Sequence, residues 1–288
     1  MSHPLRIGLK AIQQTEPLDA QREVWRIADE GGLDALWGFD HLYALGGDPA
    51  QPVFDGWTVL GAMAEVTKRV RIGLIVTGNL YRHPALLAKL AVTVDHLSHG
   101  RLDFGIGAGW NEPEFKGLGI PFPESPADRI RMLEEACVVY KLLATEPRAS
   151  FAGRYYTLTD AIAEPKPLQK PYPPIWIGGS GPQRTLRVVA KHADAWNSNA
   201  RSVEEAVKSS RLLDEHCAAV GRDPATIRRS VQFPYGGAEK TLEVIRRYRE
   251  AGFSDFMLQA GGRGDQSDLR SVASAIVRDL LPRARQLP

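Results

Sequence analysis

The sequence predicts an α/β protein of the (β/α)8, or TIM-barrel, class. Short β-rich segments alternate with longer helical patterns along all 288 residues. Glycines and polar residues collect where the predicted strands end. Eight strand–helix units in roughly 250 residues plus insertions are typical of this barrel, whose ligands bind at the carboxyl ends of the strands. A doubly wound open sheet is the main alternative, but it usually has fewer strands and leaves the late units unexplained.

Hydrophobic periodicity and glycine or proline breaks give the elements in order. Strands are predicted at residues 5–9, 35–39, 70–76, 102–106, 175–177, 195–197, 227–233 and 255–258. Helices are predicted at residues 19–30, 57–66, 84–97, 128–143, 183–192, 203–220, 238–251 and 268–280. The first helix, for example, ends at Gly31 and Gly32, which is a common helix stop.

Insertions interrupt the repeat after strands two and four and before strand five. Residues 42–56 are rich in Gly, Pro and Asp. Residues 151–174 contain two tyrosines followed by a proline-rich tract, which cannot form regular helix. We therefore expect one domain over residues 1–288, in which residues 151–174 form a small hairpin and a cover over the barrel mouth.

Composition excludes several classes of protein. Hydrophobic residues make up 43% of the chain and charged residues 24%, as in a folded globular protein. The net charge is only +2 and the basic residues are scattered, so no nucleic-acid partner is expected. No apolar run reaches ~18 residues and no leader is visible, so we expect a cytoplasmic protein without a membrane span. Cys137 and Cys217 lie far apart, and we expect buried free thiols.

The strand end at residues 105–111 is the most informative segment. Gly105, Gly107 and Gly109 remove every second side chain, which lets a backbone or a flat ligand approach closely. Trp110 and Asn111 then end the turn. The spacing is G-x-G-x-G rather than G-x-G-x-x-G, so a Rossmann dinucleotide site is only weakly indicated.

Two further glycine clusters are candidate phosphate sites. Residues 178–181, which we call the glycine turn, precede a predicted helix that opens with Pro182. Free amides at a helix N-terminus bind phosphate, although an ordinary strand-to-helix turn has the same pattern. Residues 261–264 are the second candidate, because barrel phosphates often bind after strands seven and eight.

Asp40 and His41 are adjacent at the end of strand two, so their side chains should point to opposite sides. One can then face the barrel mouth while the other braces the loop, and a histidine at the mouth suits proton donation near neutral pH. A simple loop histidine is the alternative. No metal site is expected, because no HxH or HExxH spacing occurs. Trp110 and Trp196 lie at the predicted mouth, where they could stack on a ligand.

Several motifs together resemble the luciferase-like monooxygenase superfamily, in particular its oxidoreductases that depend on the deazaflavin coenzyme F420. They cover nearly the whole chain. They are Trp-Gly-Phe-Asp-His at 37–41, Tyr-Arg-His-Pro-Ala at 81–85, Ser-His-Gly-Arg-Leu at 98–102, the segment 105–115, Pro-Lys-Pro at 165–167, and Pro-Pro-Ile-Trp-Ile-Gly-Gly-Ser-Gly at 173–181.

The resemblance implies a (β/α)8 barrel with coenzyme F420 across its mouth, or FMN, since both branches share much of the pattern. It implies a β-bulge near residues 74–75, often with a non-prolyl cis peptide, and His41 as the active-site histidine. It also implies a small-molecule substrate and, often, a homodimer. The implied cofactor-binding residues are Asp40, Thr77, Ala108, Gly109, Asn111, Gly178, Gly179, Ser180 and Gly181.

One departure from the family pattern bears on the substrate. Glucose-6-phosphate dehydrogenases of this family carry a glutamate where this chain has Trp110. That difference disfavours sugar-phosphate oxidation and favours a planar or apolar substrate such as an enone or quinone. The expected activity is hydride transfer between F420 and such a substrate. The alternatives are an FMN-dependent monooxygenase, a barrel hydrolase or isomerase without redox cofactor, and a non-catalytic cofactor carrier.

Overall fold

The computed structural model describes residues 3–260 and 269–287. The candidate phosphate site at residues 261–264 therefore lies outside the described residues. The strands are β1 (Arg6–Lys10), β2 (Ala35–Gly38), β3 (Arg71–Leu74), β4 (Thr77–Gly78), β5 (Leu102–Gly107), β6 (Ala149–Ala152), β7 (Thr157–Ala161), β8 (Ile175–Gly178), β9 (Ala195–Ser198), β10 (Arg228–Pro234) and β11 (Asp255–Gln259).

Helices surround the strands. They are α1 (Leu18–Glu30), α2 (Gly56–Val66), α3 (Pro84–Leu97), α4 (Glu112–Gly117), α5 (Pro126–Thr145), α6 (Thr185–His192), α7 (Val203–Ala219), α8 (Ala238–Glu250), α9 (Leu269–Ala275) and α10 (Leu281–Ala284). A 3-10 turn precedes β10 at Pro224–Thr226, and α9 continues into a π-helical turn at Ile276–Leu280. None of the helices in the described part of the chain has the length and apolar character needed to cross a bilayer.

The barrel closes as the sequence predicts. Parallel pairing runs in the order β3-β2-β1-β11-β10-β9-β8-β5-β4, and β3 also pairs with β5. The segments β3 and β4 occupy one of the eight strand positions, because the predicted third strand is interrupted between them. The peptide bond between Ile75 and Val76 in this interruption is cis. The interruption lies where the family resemblance implies a bulge.

The interior of the barrel is filled by side chains rather than open. Trp37 and Trp176 meet edge to face with ring centroids 4.8 Å apart, and Met257 packs in the same cluster. At the amino-terminal end of the barrel, the fully buried Asp103 accepts hydrogen bonds from Arg6 at 3.0 Å and Arg71 at 2.7 Å. Because side chains fill the barrel interior and its amino-terminal end, a cavity can form only at the carboxyl ends of the strands.

Helix boundaries follow local capping. Asp55 accepts a hydrogen bond from the Thr58 amide at 2.8 Å at the start of α2, and Ser202 caps α7 in the same way. Some helices differ from the sequence prediction. Helix α6 begins at Thr185 rather than at Pro182, and the short helix α4 was not predicted at all.

The expected cover over the barrel mouth is wrong, although the hairpin is present as β6 and β7. The hairpin lies against the outside of α5, where Glu135 accepts from the amides of residues 154–156. The proline-rich tract then runs along α3 towards the amino-terminal end of the barrel, and Asp95 accepts from the Leu168 amide at 2.7 Å. This path follows from connectivity, because β8 must begin at that end of the barrel.

Candidate active site

A cavity of about 530 Å³ opens at the carboxyl ends of the barrel strands. Its size falls within the range of cofactor and substrate sites. Residues near or beyond the carboxyl end of each of the eight strand positions contribute to its wall, as do Pro126, Arg129 and Ile130 from the first turns of α5. The convergence of strand ends predicted from the sequence therefore forms one site.

Most of the sequence-predicted site residues line this cavity. They are His41, Ala108, Gly109, Trp110, Gly178, Gly179, Ser180 and Gly181. Four do not line it, namely Asp40, Thr77, Asn111 and Trp196.

Trp196 is a correction to the expected stacking role. Its side chain is fully buried and packs near Phe253, with 6.0 Å between ring centroids, while its indole N–H donates to the Gly179 carbonyl at 2.7 Å. Successive residues of a strand face opposite sides. Asn197, the next residue, therefore reaches the cavity, and Trp196 supports the glycine turn from behind.

Asp40 and Thr77 also lie behind the cavity wall. The Thr77 hydroxyl donates to Asp40 and accepts from the Trp57 indole at 3.0 Å, and Arg82 donates to Asp40 at 2.7 Å. Burial raises the pKa of Asp40 to about 6, against the opposing effect of the Arg82 guanidinium. Asp40 thus braces the loop while its neighbour His41 faces the cavity, as the alternation at a strand end requires.

Asn111 is the residue just before α4, and its side chain makes no capping hydrogen bond. It lies beyond Trp110, which is about half exposed at the rim. The chain turns away from the cavity here to start the unpredicted helix, so Asn111 is not part of the cavity wall.

The glycine turn presents unused backbone donors. The Gly179 amide donates to the Asn197 carbonyl at 3.1 Å, whereas the amides of Ser180 and Gly181 donate to no acceptor among the described residues. Gly179 has a φ of +115°, which favours glycine. A Cβ on Gly181 would lie 2.6 Å from the Thr185 hydroxyl oxygen. The turn therefore packs tightly against the start of α6 and leaves two amides available for an anion.

The glycines of β5 make room for the interrupted third strand, which packs directly against them. A Cβ on Gly105 would collide with the Leu74 carbonyl oxygen, and one on Gly107 would lie 2.5 Å from the Val76 side chain. The sequence predicted that these glycines allow a backbone or a flat ligand to approach closely. At Gly105 it is the backbone of Leu74 that does so. Gly109 has a φ of +77° and turns the chain towards Trp110.

His41 is held in the cavity wall by a carboxylate that the sequence did not identify. Its Nδ1 lies 2.8 Å from Glu114 Oε1, and its ring meets Trp110 edge to face at 5.3 Å. The Tyr81 hydroxyl donates to the same Glu114 oxygen. The other oxygen, Oε2, accepts from the Leu42 amide at 2.9 Å and the Tyr43 amide at 3.2 Å. Glu114, which is fully buried, therefore has four donors.

The charge state of this cluster follows from its hydrogen bonds. Burial opposes ionisation of Glu114, but the hydrogen bonds from His41 and Tyr81 outweigh it and lower the pKa of Glu114. Burial and the bond to Glu114 raise the pKa of Tyr81, which keeps its proton. Because the Glu114 carboxylate can only accept, His41 Nδ1 must carry a hydrogen, and Nε2 is the ring nitrogen that can interact with a ligand in the cavity.

A polar group on the far side of the cavity combines Lys10, Gln232 and Gln259. The Lys10 ammonium donates to Gln232 Oε1 at 2.8 Å, and Gln259 Nε2 donates to the same oxygen at 3.2 Å. None of the three was among the site residues predicted from the sequence, and Lys10 and Gln259 are the last residues of β1 and β11. Within residues 3–260 and 269–287, no three His, Cys, Asp or Glu side chains group in a way that could hold a metal ion.

A closed (β/α)8 barrel with a glycine turn, a carboxylate-held histidine and a cavity at its strand ends defines a TIM-barrel protein with an enzyme-type ligand site. A profile described as luciferase-like monooxygenase matches residues 1–279, so the chain belongs to this family. The family resemblance derived from the sequence motifs is thereby confirmed.

Individual relatives are moderately similar. An uncharacterized protein of Mycobacterium tuberculosis is 36% identical over 182 residues, which make up 62% of this chain and 62% of that protein. An F420-dependent glucose-6-phosphate dehydrogenase of Microbacterium testaceum is 32% identical over 226 residues, or 77% of this chain and 65% of that protein. These matches span less than two thirds of the length of either relative.

The solved structure of an F420-dependent secondary alcohol dehydrogenase, in complex with an F420–acetone adduct, has the same architecture. The TM-score is 0.87, with 99% of this chain and 100% of that chain covered at 20% identity. At 20% identity this similarity establishes the shared fold and nothing further.

Proposed function

We propose that this protein is an oxidoreductase that transfers a hydride between coenzyme F420 and a small organic substrate, such as an enone, a quinone or another activated carbonyl compound. The observation that carries the proposal is that the glycine turn and His41 lie in the wall of one cavity. The family and the F420-dependent relatives support the choice of coenzyme.

The residues present fit a phosphate-bearing deazaflavin. The unused amides of Ser180 and Gly181 suit the phosphate, and Arg129 adds a positive charge to the wall. Ala108 and Gly109 offer a wall with little side chain, where the ribityl chain would lie. When bound, the coenzyme supplies hydride chemistry that the amino-acid side chains lack. Asp40 and Thr77 would act on it only through the loop that they brace.

His41 is the proposed acid–base group. Glu114 accepts from Nδ1 and orients the ring, and Nε2 of the doubly protonated ring can donate its proton to the substrate oxygen or carbon as the hydride arrives. A positioned acid of this kind contributes typically about 10²–10⁴ in rate. Trp110, Phe39 and Ile12 supply the apolar part of the wall against which the substrate would pack.

The test begins with binding. Purified protein is titrated separately with F420 and FMN, and binding is followed by fluorescence. We expect F420 to bind more tightly than FMN, and reduced F420 to be oxidised by members of a panel of enones and quinones. Tight FMN binding without F420 binding would refute the proposal and favour a monooxygenase, while F420 binding without turnover of any panel member would favour a cofactor carrier.

A matched pair of variants tests the phosphate site. Gly181→Ala places a methyl group 2.6 Å from the Thr185 oxygen and shifts the turn. We expect the Kd for F420 to rise at least about tenfold, the equivalent of one hydrogen bond to a charged group. Gly61→Ala is the control, because its Cβ would meet only a Leu97 methyl at 3.9 Å. Equal affinity of both variants would remove the glycine turn from the binding site.

A further inference from the structure

The Lys10 ammonium fixes the orientation of two cavity amides. A lysine ammonium has donors only, so the atom of Gln232 that faces it at 2.8 Å must be the oxygen. The atom of Gln259 that faces the same oxygen at 3.2 Å must then be the nitrogen. The Gln232 amide nitrogen and the Gln259 oxygen make no hydrogen bond within the described residues. Both side chains therefore have capacity left for a ligand.

These three residues lie across the cavity from the glycines. Lys10 and Gln259 are directly paired neighbours on β1 and β11, and Gln232 is on the adjoining β10. The glycine-lined wall belongs to β4, β5 and β8, which lie on the other side of the closed barrel. A molecule between the coenzyme and the polar cluster would thus be in contact with both. Lys10 is also on the strand next to β2, which leads into His41.

Two cationic side chains are present in the described part of the cavity wall. Lys10 and Arg129 line it, and no Asp or Glu does among the described residues. The nearby carboxylates of Asp40 and Glu114 are fully buried behind the wall and engaged with Arg82, His41 and Tyr81. A carboxylate on a ligand would accept from the Lys10 ammonium and the Gln232 amide, and such charge-assisted hydrogen bonds are stronger than neutral ones.

We propose that Lys10, Gln232 and Gln259 form a subsite for a substrate carboxylate, so that the preferred substrates are carbonyl or conjugated acids rather than neutral ketones. This inference rests on the proposed function and narrows its substrate class. It departs from the planar or apolar substrate that the sequence analysis favoured. In the reduction of a keto acid, the carbonyl carbon gains the hydride of the reduced coenzyme, the C=O π bond breaks and the oxygen takes a proton, so the products are the hydroxy acid and the oxidised coenzyme.

The experiment compares two substrates that differ only at the proposed contact. Benzylpyruvate and benzylacetone share a phenyl group and a ketone, and they differ by a carboxylate in place of a methyl group. We expect kcat/KM with reduced F420 to favour benzylpyruvate at least about tenfold, and Lys10→Met to lower this preference by about ten- to a hundredfold. The control Lys208→Met removes an exposed lysine on α7 and should retain the preference.

A binding measurement separates the subsite from the redox function. Benzylpyruvate is titrated by calorimetry into protein loaded with oxidised F420, where it cannot be reduced, and into protein without coenzyme. Saturable binding that Lys10→Met weakens about tenfold or more, and Lys208→Met does not, supports the subsite even if F420 proves the wrong coenzyme. Equal kcat/KM for both ketones in an enzyme that turns over with F420, or equal binding by the two lysine variants, would overturn the subsite and leave the proposed function intact.

Discussion

Replacing Glu114 by glutamine tests how the site holds its histidine. The wild-type carboxylate accepts from His41 and Tyr81 on one oxygen and from the amides of Leu42 and Tyr43 on the other. A glutamine has the same shape but only one accepting oxygen. If its NH2 group faces the amides of Leu42 and Tyr43, which can only donate, two of the four hydrogen bonds are lost.

The magnitude follows from those two bonds. Each hydrogen bond to a charged group contributes about 1.5–3 kcal/mol, so the loss of two should lower the free energy of unfolding by about 3–6 kcal/mol. At roughly 2–4 °C per kcal/mol, Tm should fall by about 6–24 °C. If the amide NH2 faces His41, Nδ1 must become an acceptor and Nε2 carries the proton in the neutral ring. The doubly protonated ring, which donates the proton in the proposed reaction, then has no acceptor at Nδ1, so kcat should fall by about 10²–10⁴.

The assay measures Tm and the single-turnover oxidation of reduced F420 for Glu114→Gln beside Glu112→Gln. Glu112 is on the same short helix, but its side chain is 45% exposed and pairs with the exposed Lys116, so its loss should cost less than about 0.5 kcal/mol. A Glu114→Gln protein that matches the control in both measurements would refute the account. A lower Tm with an unchanged single-turnover rate would limit Glu114 to a structural role.

Three further predictions concern other parts of the site and barrel. His41→Ala should lower kcat by about 10²–10⁴, and unchanged turnover with a good substrate would exclude it as the proton donor. Asp103→Asn removes the buried carboxylate charge that pairs with Arg6 and Arg71 and should lower the free energy of unfolding, measured in urea at neutral pH, by about 3 kcal/mol. Burial opposes ionisation of Asp103, but the arginines outweigh it and lower its pKa, so the difference from wild type should shrink as the pH falls below about 4. Gly105→Ala drives a methyl group into the Leu74 carbonyl and should cost at least about 1–3 kcal/mol, whereas Gly61→Ala should be neutral or stabilising.

The barrel could be predicted from the sequence because its pattern is repeated. Each unit has a short apolar run, a turn and an amphipathic helix, so an error at one boundary does not affect the others. Helix α3 was predicted with its observed bounds, Pro84–Leu97. The single predicted third strand was less accurate, because an apolar run such as 70–76 does not reveal where pairing is interrupted.

The site was predicted less completely because side-chain direction depends on strand register. Trp196 and Asn197 are neighbours at a strand end, and only the pairing of β9 with its neighbours decides which of them faces the cavity. Glu114 was missed for a different reason. It lies seven residues beyond β5 on the unpredicted helix α4, and nothing local in the sequence connects it to His41. Its place within the family motif at 105–115 was the one available signal.

The interruption of the third strand connects the glycines of β5 to the cavity. The Leu74 carbonyl occupies the space that a side chain at residue 105 would need, and the Val76 side chain lies against both Gly107 and Gly178. Larger residues at these positions would push residues 75 and 76 into the cavity, since the Trp37–Trp176 pair already fills the barrel beneath. Gly105, Gly107 and Gly178 thus set the depth of the cavity floor indirectly, because they leave room for Leu74 and Val76 of the interrupted strand. Their effect on ligand binding is therefore indirect, and a Gly107→Ala protein that folds should bind the coenzyme more weakly although no side chain contact to it has been removed.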